Sequence, residues 1–184
     1  MRCFIALKLP HKIKIEAYNI QKKLRNLSLR AKWVEFDNLH LTLKFLGSLS
    51  DGKVEEAKRI ISETASFLLS FKLTLSNLGA FPGMRNPKVV WLGVEPFDVL
   101  SGITDKLSKR AVSLGIKEEG RIPRPHITLG RIKSGRCPDE LVRLSETFKV
   151  EPLEWNTDGI SLFESILYPK GPVYREVFWA EFNQ

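Results

Sequence analysis

The chain has 184 residues, 43% of them hydrophobic, and contains two cysteines. A chain of this length can bury a large core without disulfides or structural metals, which excludes the small disulfide-rich and zinc-stapled classes. The formal net charge of +8 favours an anionic partner such as a nucleic acid, although a generic basic surface gives the same charge. The longest apolar stretches are far shorter than the ~20 residues of a membrane span, and no secretory signal precedes Cys3. We therefore expect a reduced, cytoplasmic protein without a membrane anchor.

The first half of the chain alternates predicted strands with two predicted helices. Apolar periodicity predicts strands over residues 2–9, 32–35, 39–46, 71–78 and 89–94. Apolar residues at helical spacing predict amphipathic helices over residues 13–27 and 54–68. Pro10 ends the first strand, a turn over 47–52 leads into the second helix, and a Gly- and Pro-rich connection covers 79–87. The predicted order is β-α-β-β-α-β-β.

The second half contains the same kinds of element. Apolar periodicity predicts helices over residues 100–114 and 138–148, and strands over 126–131, 153–162 and 173–182. Gly115 stands where a helix C-cap favours glycine, and Pro138 suits the first turn of the short helix. Pro123 and Pro125 favour extended backbone just before the strand at 126–131.

Helices that separate sets of short strands indicate the α+β fold class. No linker, low-complexity run or solenoid repeat divides the sequence, so residues 1–184 are expected to form one bilobal domain. Each half carries one copy of the motif described next. We therefore expect two pseudo-symmetric lobes of antiparallel sheet, with flanking helices, around a central cleft.

One four-residue motif occurs twice and uses two of the three histidines of the chain. The copies are His40-Leu41-Thr42-Leu43 and His126-Ile127-Thr128-Leu129. Successive side chains of a strand point to opposite faces, so His40 and Thr42 project together, about 6.6 Å apart along the strand. His126 and Thr128 repeat this arrangement. The aliphatic residues of each copy are expected to face the core, and the polar pair to face a cleft.

The paired motifs supply the groups that a phosphoester transfer requires. Imidazoles with an ordinary pKa of about 6.5 can act as general acid and general base, and two hydroxyls can hydrogen-bond the oxygens of one phosphate. Each histidine or threonine taken alone is an ordinary sheet residue, and only the pair favours a site. A metal site is the other alternative, but His-x-His is absent and only Glu35 and Asp37 supply carboxylates nearby.

The motifs and their surroundings resemble a known family. The segments RCFIAL, WVEFDNLHLTLKFLG and RPHITLGR are similar to the two-histidine phosphoesterase superfamily, and within it to the RNA 2′,3′-cyclic phosphodiesterases, also called 2′-5′ RNA ligases. The resemblance implies hydrolysis of a 2′,3′-cyclic phosphate at an RNA end to a 2′-phosphate, without metal or cofactor. In reverse, it implies the joining of such an end to a 5′-hydroxyl. We expect a monomer whose partners are these RNA ends, including those of tRNA halves.

By the same resemblance, the four polar side chains of the motifs are expected to be catalytic. His40 is assigned as the general acid that protonates the departing 3′ oxygen, and His126 as the general base that deprotonates the attacking water. Thr42 and Thr128 are assigned to the non-bridging phosphate oxygens. The pseudo-symmetry leaves the opposite assignment of the two histidines open.

Phe45 and Arg131 stand at matching offsets, five residues after the histidine of each motif. The resemblance implies that the ring stacks on the terminal base and that the guanidinium neutralises phosphate charge. In a regular strand an odd offset turns a side chain away from the cleft, so this placement requires a bulge or the end of the strand, which Gly47 and Gly130 make possible. A core Phe45 and a solvated Arg131 are the alternatives.

Other basic and aromatic residues are assigned from their surroundings. A basic group around the second motif could guide the RNA backbone or form an ordinary solvated loop; it comprises Arg121, Arg124, Lys133 and Arg136. Trp155 and Trp179 could stack on bases, but their spacing suits strand packing, and core packing is the prediction for both. Tyr168 and Tyr174 could stack on bases, but their spacing also suits strand packing. His11 has no threonine two positions later and is expected at the surface.

Two other functions remain open. One is a non-catalytic module that binds RNA ends. The other is a related phosphodiesterase that acts on 2′-5′ oligoadenylate or on a cyclic nucleotide product of tRNA splicing. The complete set of motif side chains argues against the first, and the absence of a GxxxxGK loop gives no basis for ATP-driven ligation.

Overall fold

The computed structural model describes residues 1–27, 29–118, 124–133, 139–169 and 171–183. The described residues form nine strands and four α-helices, joined by turns and short 3₁₀ segments. The strands are β1 (Arg2–Leu7), β2 (Ala31–Trp33), β3 (Leu41–Ser48), β4 (Phe71–Phe81), β5 (Val89–Glu95), β6 (His126–Ile132), β7 (Glu154–Thr157), β8 (Gly159–Tyr168) and β9 (Gly171–Glu181). The helices are α1 (His11–Arg25), α2 (Asp51–Ala65), α3 (Phe97–Arg110) and α4 (Asp139–Thr147).

The predicted helices form where the apolar stripes indicated. Helices α1, α2 and α3 each bury the apolar residues of their stripe. The chain after α3 continues through a 3₁₀ turn to Gly115, whose φ of +79° is the left-handed conformation that glycine favours at a C-cap. Helix α4 begins at Asp139, and the predicted roles of Pro123 and Pro138 fall outside the described residues.

The structure differs from the sequence prediction at two strands. The single strand predicted over 153–162 is two strands, because the chain changes neighbours at Asp158: β7 pairs with β4, and β8 pairs with β1 and β9. Strand β4 also continues through Gly79 into the predicted loop. A Cβ at Gly79 would lie 2.3 Å from the ring of Trp91 on β5, so glycine here gives the indole room to cross the neighbouring strand.

The nine strands form one curled antiparallel sheet in the order β7-β4-β5-β6-β3-β1-β8-β9, with β2 added to β6. The middle pair, β6 and β3, divides this sheet into two lobes of similar build. Helices α1 and α4 pack on the lobe β6-β5-β4-β7, and α2 and α3 pack on the lobe β3-β1-β8-β9. The predicted α+β class, with two pseudo-symmetric lobes of antiparallel sheet and flanking helices, is confirmed.

The lobes do not coincide with the two halves of the sequence. The half of the chain that contains β1 and β3 contributes helix α1 and strands β2 and β4 to the other lobe. The half that contains β5 and β6 contributes α3, β8 and β9 in return. Hydrophobic periodicity gives each element a buried face but does not say which sheet covers that face. The exchange therefore becomes visible only in the structure.

Candidate active site

The two motifs lie side by side at the middle of the sheet. Leu41 on β3 is the register partner of Ile127 on β6, and both are fully buried in the core beneath the helices. Residues directly opposite in an antiparallel pair share a face, and their sequence neighbours point to the other face. The polar residues of both motifs therefore share the face of the sheet that the helices leave open.

A cleft of about 310 Å³ lies on this open face. Counting from the central register pair places His40 across from Thr128, and Thr42 across from His126. His40, Thr42 and Thr128 line the cleft, and His126 is close enough for its charge to lower the pKa of His40. The structure thus brings together the four side chains predicted as catalytic, in a nearly two-fold arrangement.

Both imidazoles are held in the same way through Nδ1. Nδ1 of His40 donates to the carbonyl of Asn38 at 2.6 Å, and Nδ1 of His126 donates to the carbonyl of Arg124 at 2.7 Å. In each case a backbone carbonyl two residues earlier sets the tautomer and leaves Nε2 for chemistry. The Thr42 hydroxyl donates to Nε2 of His40 at 2.8 Å, as expected for the unprotonated ring nitrogen.

The surroundings lower the pKa of both histidines. The pKa of His40 is lowered to about 4, chiefly by burial; the hydrogen bond to Asn38 opposes this shift, and the charges of Lys14 and His126 contribute to it. Burial also lowers the pKa of His126, and the Arg131 guanidinium adds to this effect. Ordinary pKa values were expected from the sequence. In the structure both imidazoles are instead held in their neutral form at pH 7.

A β-bulge follows the polar pair of each motif. The register of β3 against β1 skips Leu43, and the register of β6 against β5 skips Leu129. Each bulge shifts the alternation of side chains by one position, so Phe45 and Arg131 face the cleft and line it. Of the two explanations predicted for the odd offsets, a bulge or the end of the strand, the structure shows a bulge in both strands.

Only one of the two glycines expected to allow these bulges does so. Gly130 directly follows the bulge residue of β6, and a Cβ there would lie 2.7 Å from the ring of Trp33. Gly47 has a φ of +71° and lies next to a second register shift of β3, at Leu46. Because this shift comes after Phe45 in the chain, it does not change the face to which the Phe45 ring points. Phe45 is 61% exposed, which rules out the core alternative for this residue.

A buried glutamine supports the second bulge. Gln21 of α1 is fully buried, and its Nε2 donates to the carbonyl of Leu129 at 2.7 Å and to that of Val34 at 2.8 Å. The Leu129 carbonyl also accepts from the amide of Val34 at 2.9 Å. The bulge is thereby tied to α1. In the sequence, Gln21 is only a polar residue beside Ile20 at the edge of the helical stripe, which does not reveal its partners.

Replacing Gln21 with methionine is expected to lower the free energy of unfolding by about 1–3 kcal/mol, because a buried carbonyl loses a donor. Urea denaturation followed by circular dichroism measures this change. Lys12→Met, at an exposed position of the same helix, is the control and should stay within about 0.5 kcal/mol of the wild type. An unchanged midpoint for Gln21→Met would contradict the supporting role.

Two further side chains of the cleft were not assigned to the site from the sequence. The Tyr174 ring meets that of His40 edge-on, with ring centroids 5.2 Å apart. Burial raises the pKa of the Tyr174 hydroxyl, and the charges of Arg131 and Arg2 lower it, which places both guanidiniums near that oxygen. Arg2 shares the alternation of β1 with Phe4, whose ring centroid lies 4.8 Å from that of His40. The sequence could have indicated this, because Arg2 and Phe4 are two positions apart and therefore face the same side of a strand.

The predicted basic group around the second motif is only partly visible. Arg124 pairs with Glu95 at 3.4 Å, and Lys133 is exposed beyond the end of β6. Arg121 and Arg136 lie outside the described residues. The charged residues that line the cleft among the described parts of the chain are Arg2 and Arg131.

The aromatic assignments had mixed outcomes. Trp155 is buried, as expected. The core prediction for Trp179 was wrong, because β9 is an edge strand and the indole is 38% exposed on the open face of the sheet. Tyr168 is 55% exposed near the end of β8. His11 is at the surface, as expected, and meets the ring of Phe36.

The cleft has the donor set of an anion site. It is lined by two guanidiniums and by the hydroxyls of Thr42, Thr128, Ser165 and Tyr174, and by no described carboxylate. Across the described ranges, no group of three or more His, Cys, Asp or Glu side chains is placed to hold a metal ion. The described helices include none that is long and apolar enough to cross a membrane.

Comparison with known proteins gives consistent matches over the whole chain. The model of the LigT-like phosphoesterase family matches residues 7–91 and again residues 92–174. RNA 2′,3′-cyclic phosphodiesterases of Thermotoga maritima and Methanothermobacter thermautotrophicus are each 34% identical, over 100% and 96% of this chain and 96% of each relative. A crystal structure from Thermus thermophilus superposes with a TM-score of 0.79 and 27% identity, covering 99% of this chain and 98% of that one. E. coli LigT complexed with 3′-AMP superposes with a TM-score of 0.79 and 26% identity, covering 100% of this chain and 98% of that one.

Proposed function

Because the chain belongs to the LigT-like phosphoesterase family, we propose that it hydrolyses 2′,3′-cyclic phosphate ends of RNA to 2′-phosphates with a pair of histidines and no metal. Relatives named RNA 2′,3′-cyclic phosphodiesterases support this substrate. The observation that carries the proposal is the register of β3 and β6, which sets two imidazoles and two hydroxyls on one face of the sheet. The basic cleft of about 310 Å³ around them is large enough for one nucleotide end.

The proposed reaction is an in-line displacement at phosphorus. Nε2 of His126 takes a proton from water, whose oxygen forms a new bond to phosphorus, while Nε2–H of His40 gives its proton to the departing 3′ oxygen. The bond from phosphorus to the 2′ oxygen stays intact, so the product is a 2′-phosphate. A 5′-hydroxyl in place of the water would give a 2′-5′ linkage by the same steps.

The remaining cleft residues act on the phosphate and the base. Thr42 and Thr128 donate to the non-bridging oxygens, which carry the developing charge. The Thr42 hydroxyl turns from Nε2 of His40 to the phosphate and so exposes that nitrogen to protonation. Arg131 neutralises phosphate charge, and the exposed ring of Phe45 stacks on the terminal base.

The lowered pKa values lead us to expect an acidic optimum for kcat/KM. Catalysis requires one protonated and one neutral imidazole, a combination populated between the two pKa values of the pair, both of which lie below about 6.5. Above that range both rings are neutral, so kcat/KM falls about tenfold per pH unit as the pH rises. The optimum of kcat lies at higher pH, because the negative charge of bound phosphate raises both pKa values.

This pH dependence is checked by measuring kcat/KM from about pH 4 to about pH 9 at constant ionic strength. Lys14→Met should move the profile to higher pH, since the charge of Lys14 lowers the pKa of His40. Lys12→Met is the control on the same helix. A wild-type kcat/KM that rises steadily to the alkaline end of the range would contradict the pair of lowered pKa values.

The activity itself is tested with a short RNA that ends in a 2′,3′-cyclic phosphate, incubated with the protein in excess chelator. A ring-opened product that resists a 3′-specific phosphatase supports the reaction, its regiochemistry and its independence of metal. An untouched end that nevertheless binds the protein would favour the non-catalytic module. Cleavage of 2′-5′ oligoadenylate, with cyclic ends untouched, would favour the related phosphodiesterase.

We also propose that residues 1–184 act as a single bilobal domain, as a monomer in the cytoplasm. One sheet that spans both lobes and both motifs in one chain support this arrangement. RNA ends such as those of tRNA halves are the proposed partners. Size-exclusion chromatography with light scattering measures the oligomeric state.

A further inference from the structure

The open face of the sheet continues well beyond the two motifs. Thr42 on β3 pairs with Ala6 on β1, Ala6 pairs with Ser161 on β8, and Ser161 pairs with Trp179 on β9. Partners in antiparallel register share a face, so Trp179 lies on the same face as Thr42, three strands away. At about 4.8 Å per strand, that separation is about 14 Å across the sheet.

Trp179 has the surroundings of a stacking platform. Its indole is 38% exposed and lies over Gly159, where a Cβ would come within 2.4 Å of Nε1. Nζ of Lys8 stands 5.3 Å from the ring centroid. An exposed aromatic ring beside a cation is the combination with which proteins bind single-stranded nucleic acid, because bases stack on the ring and phosphates meet the cation.

A second pocket, of about 150 Å³, is lined by Lys8 and adjoins the cleft. It shares His40 and Tyr174 with the cleft, and the charged residues that it adds are Lys8, Lys14 and Asp37. Lys14 is close enough to His40 to lower the pKa of that imidazole. Two cations in a small pocket beside the reacting phosphate are suited to the neighbouring phosphate of an RNA strand.

The acidic groups beside these lysines leave room for a phosphate. Lys8 pairs with Glu176 at 3.1 Å, and Glu176 also accepts a hydrogen bond from Ser161 at 2.5 Å. Nζ of Lys14 donates to the backbone carbonyl of Asp37 at 3.0 Å. The Asp37 carboxylate also lines this pocket. Burial lowers the pKa of Lys14, and the charge of Asp37 opposes this larger effect by raising it. The side chain of Lys8 is 51% exposed, and an ion pair this exposed contributes little stability, so Lys8 can exchange its carboxylate for a phosphate at small cost.

We propose that Lys8, Lys14 and Trp179 form a second nucleotide subsite, which binds the part of a single-stranded RNA that precedes its cyclic-phosphate end. The lysines take the phosphate next to the reacting one, and the ring of Trp179 takes an upstream base. This inference rests on the proposed function and extends it from the reacting end to the strand behind it. An oligonucleotide is therefore a better substrate than a mononucleotide.

The test compares kcat/KM for a tetranucleotide and for a mononucleotide, both ending in a 2′,3′-cyclic phosphate. Trp179→Leu removes the stacking ring. Phe67→Leu is the matched control, because Phe67 is 70% exposed and has Lys106 at 4.5 Å from its ring centroid, but it follows α2 on the helical side of the protein. The ratio of tetranucleotide to mononucleotide kcat/KM should fall by about 5- to 150-fold in Trp179→Leu and stay at the wild-type value in Phe67→Leu.

A wild-type ratio near unity would overturn the subsite, as would an equal loss on both substrates in Trp179→Leu, since a merely structural role lowers both. If neither substrate is hydrolysed, the proposed function fails, and the subsite is then decided by the fluorescence anisotropy of a labelled tetranucleotide with a 3′-phosphate. Weaker binding to Trp179→Leu than to Phe67→Leu supports the subsite. Equal binding to the two variants overturns it.

Discussion

Replacing His126 with alanine is expected to lower kcat for a 2′,3′-cyclic phosphate end by about 10²–10⁴-fold, the usual contribution of a general base. The ring that takes the proton from water is gone, and a threonine hydroxyl across the strand pair cannot accept that proton at neutral pH. His40→Ala should cost a similar factor, because the departing 3′ oxygen loses its proton donor. Single-turnover hydrolysis in excess chelator measures both effects.

RNA binding separates loss of chemistry from loss of fold. The phosphate and base contacts of Arg131 and Phe45 remain in His126→Ala, so the affinity for an RNA with a 3′-phosphate should change little. His11→Ala is the matched control, since His11 is an exposed histidine that contacts Phe36 outside the cleft. Wild-type turnover in His126→Ala would contradict the assigned mechanism. Lost turnover in His11→Ala would show that the assay reports stability.

Removing either motif hydroxyl is expected to lower kcat by about 10²–10³-fold, as for other donors to a charged transition state. Thr42→Val and Thr128→Val keep the shape of a β-branched side chain and delete only the donor. Thr42→Val has a second expected effect. The Thr42 hydroxyl donates to the neutral form of His40 in the free enzyme. Losing it therefore favours the imidazolium and moves the pH optimum of kcat/KM upward.

Kinetics of the two valine variants across the pH range test both effects together. Thr74→Val is the control, because Thr74 is a half-buried strand threonine on β4, away from the cleft. Wild-type kcat in both motif variants would contradict the role of the hydroxyls. A pH optimum that moves equally in Thr42→Val and Thr128→Val would contradict the specific effect of Thr42 on His40.

Side-chain alternation made the central geometry of the site predictable from the sequence. Leu41 and Ile127 were expected to face the core, and the structure buries both as register partners. No local pattern showed that these strands are neighbours, because pairing between distant segments leaves none. The repeated motif supplied that information, since one phosphate cannot contact two distant strands.

Other features depended on contacts that a local pattern does not contain. The odd offsets of Phe45 and Arg131 indicated a bulge or a strand end, but not that Leu43 and Leu129 are the extra residues. Ordinary pKa values follow from residue type, whereas the lowered value of His40 comes from burial, which depends on tertiary packing. A tryptophan in an apolar strand predicts core packing, but Trp179 lies on an edge strand, and the sequence does not show which strands are at the edge.

The exchange of α1, β2 and β4 for α3, β8 and β9 makes each lobe a joint product of both halves of the chain. A protein made of one half alone would keep its motif strand but lack the helix that covers it and a strand of its sheet. Two such half-length chains could complete each other by donating these elements, and the symmetric dimer would place one His-x-Thr pair from each copy at the junction. The family model that matches twice along the chain fits a duplication and fusion of that kind. During synthesis, neither lobe can close until the second half has left the ribosome.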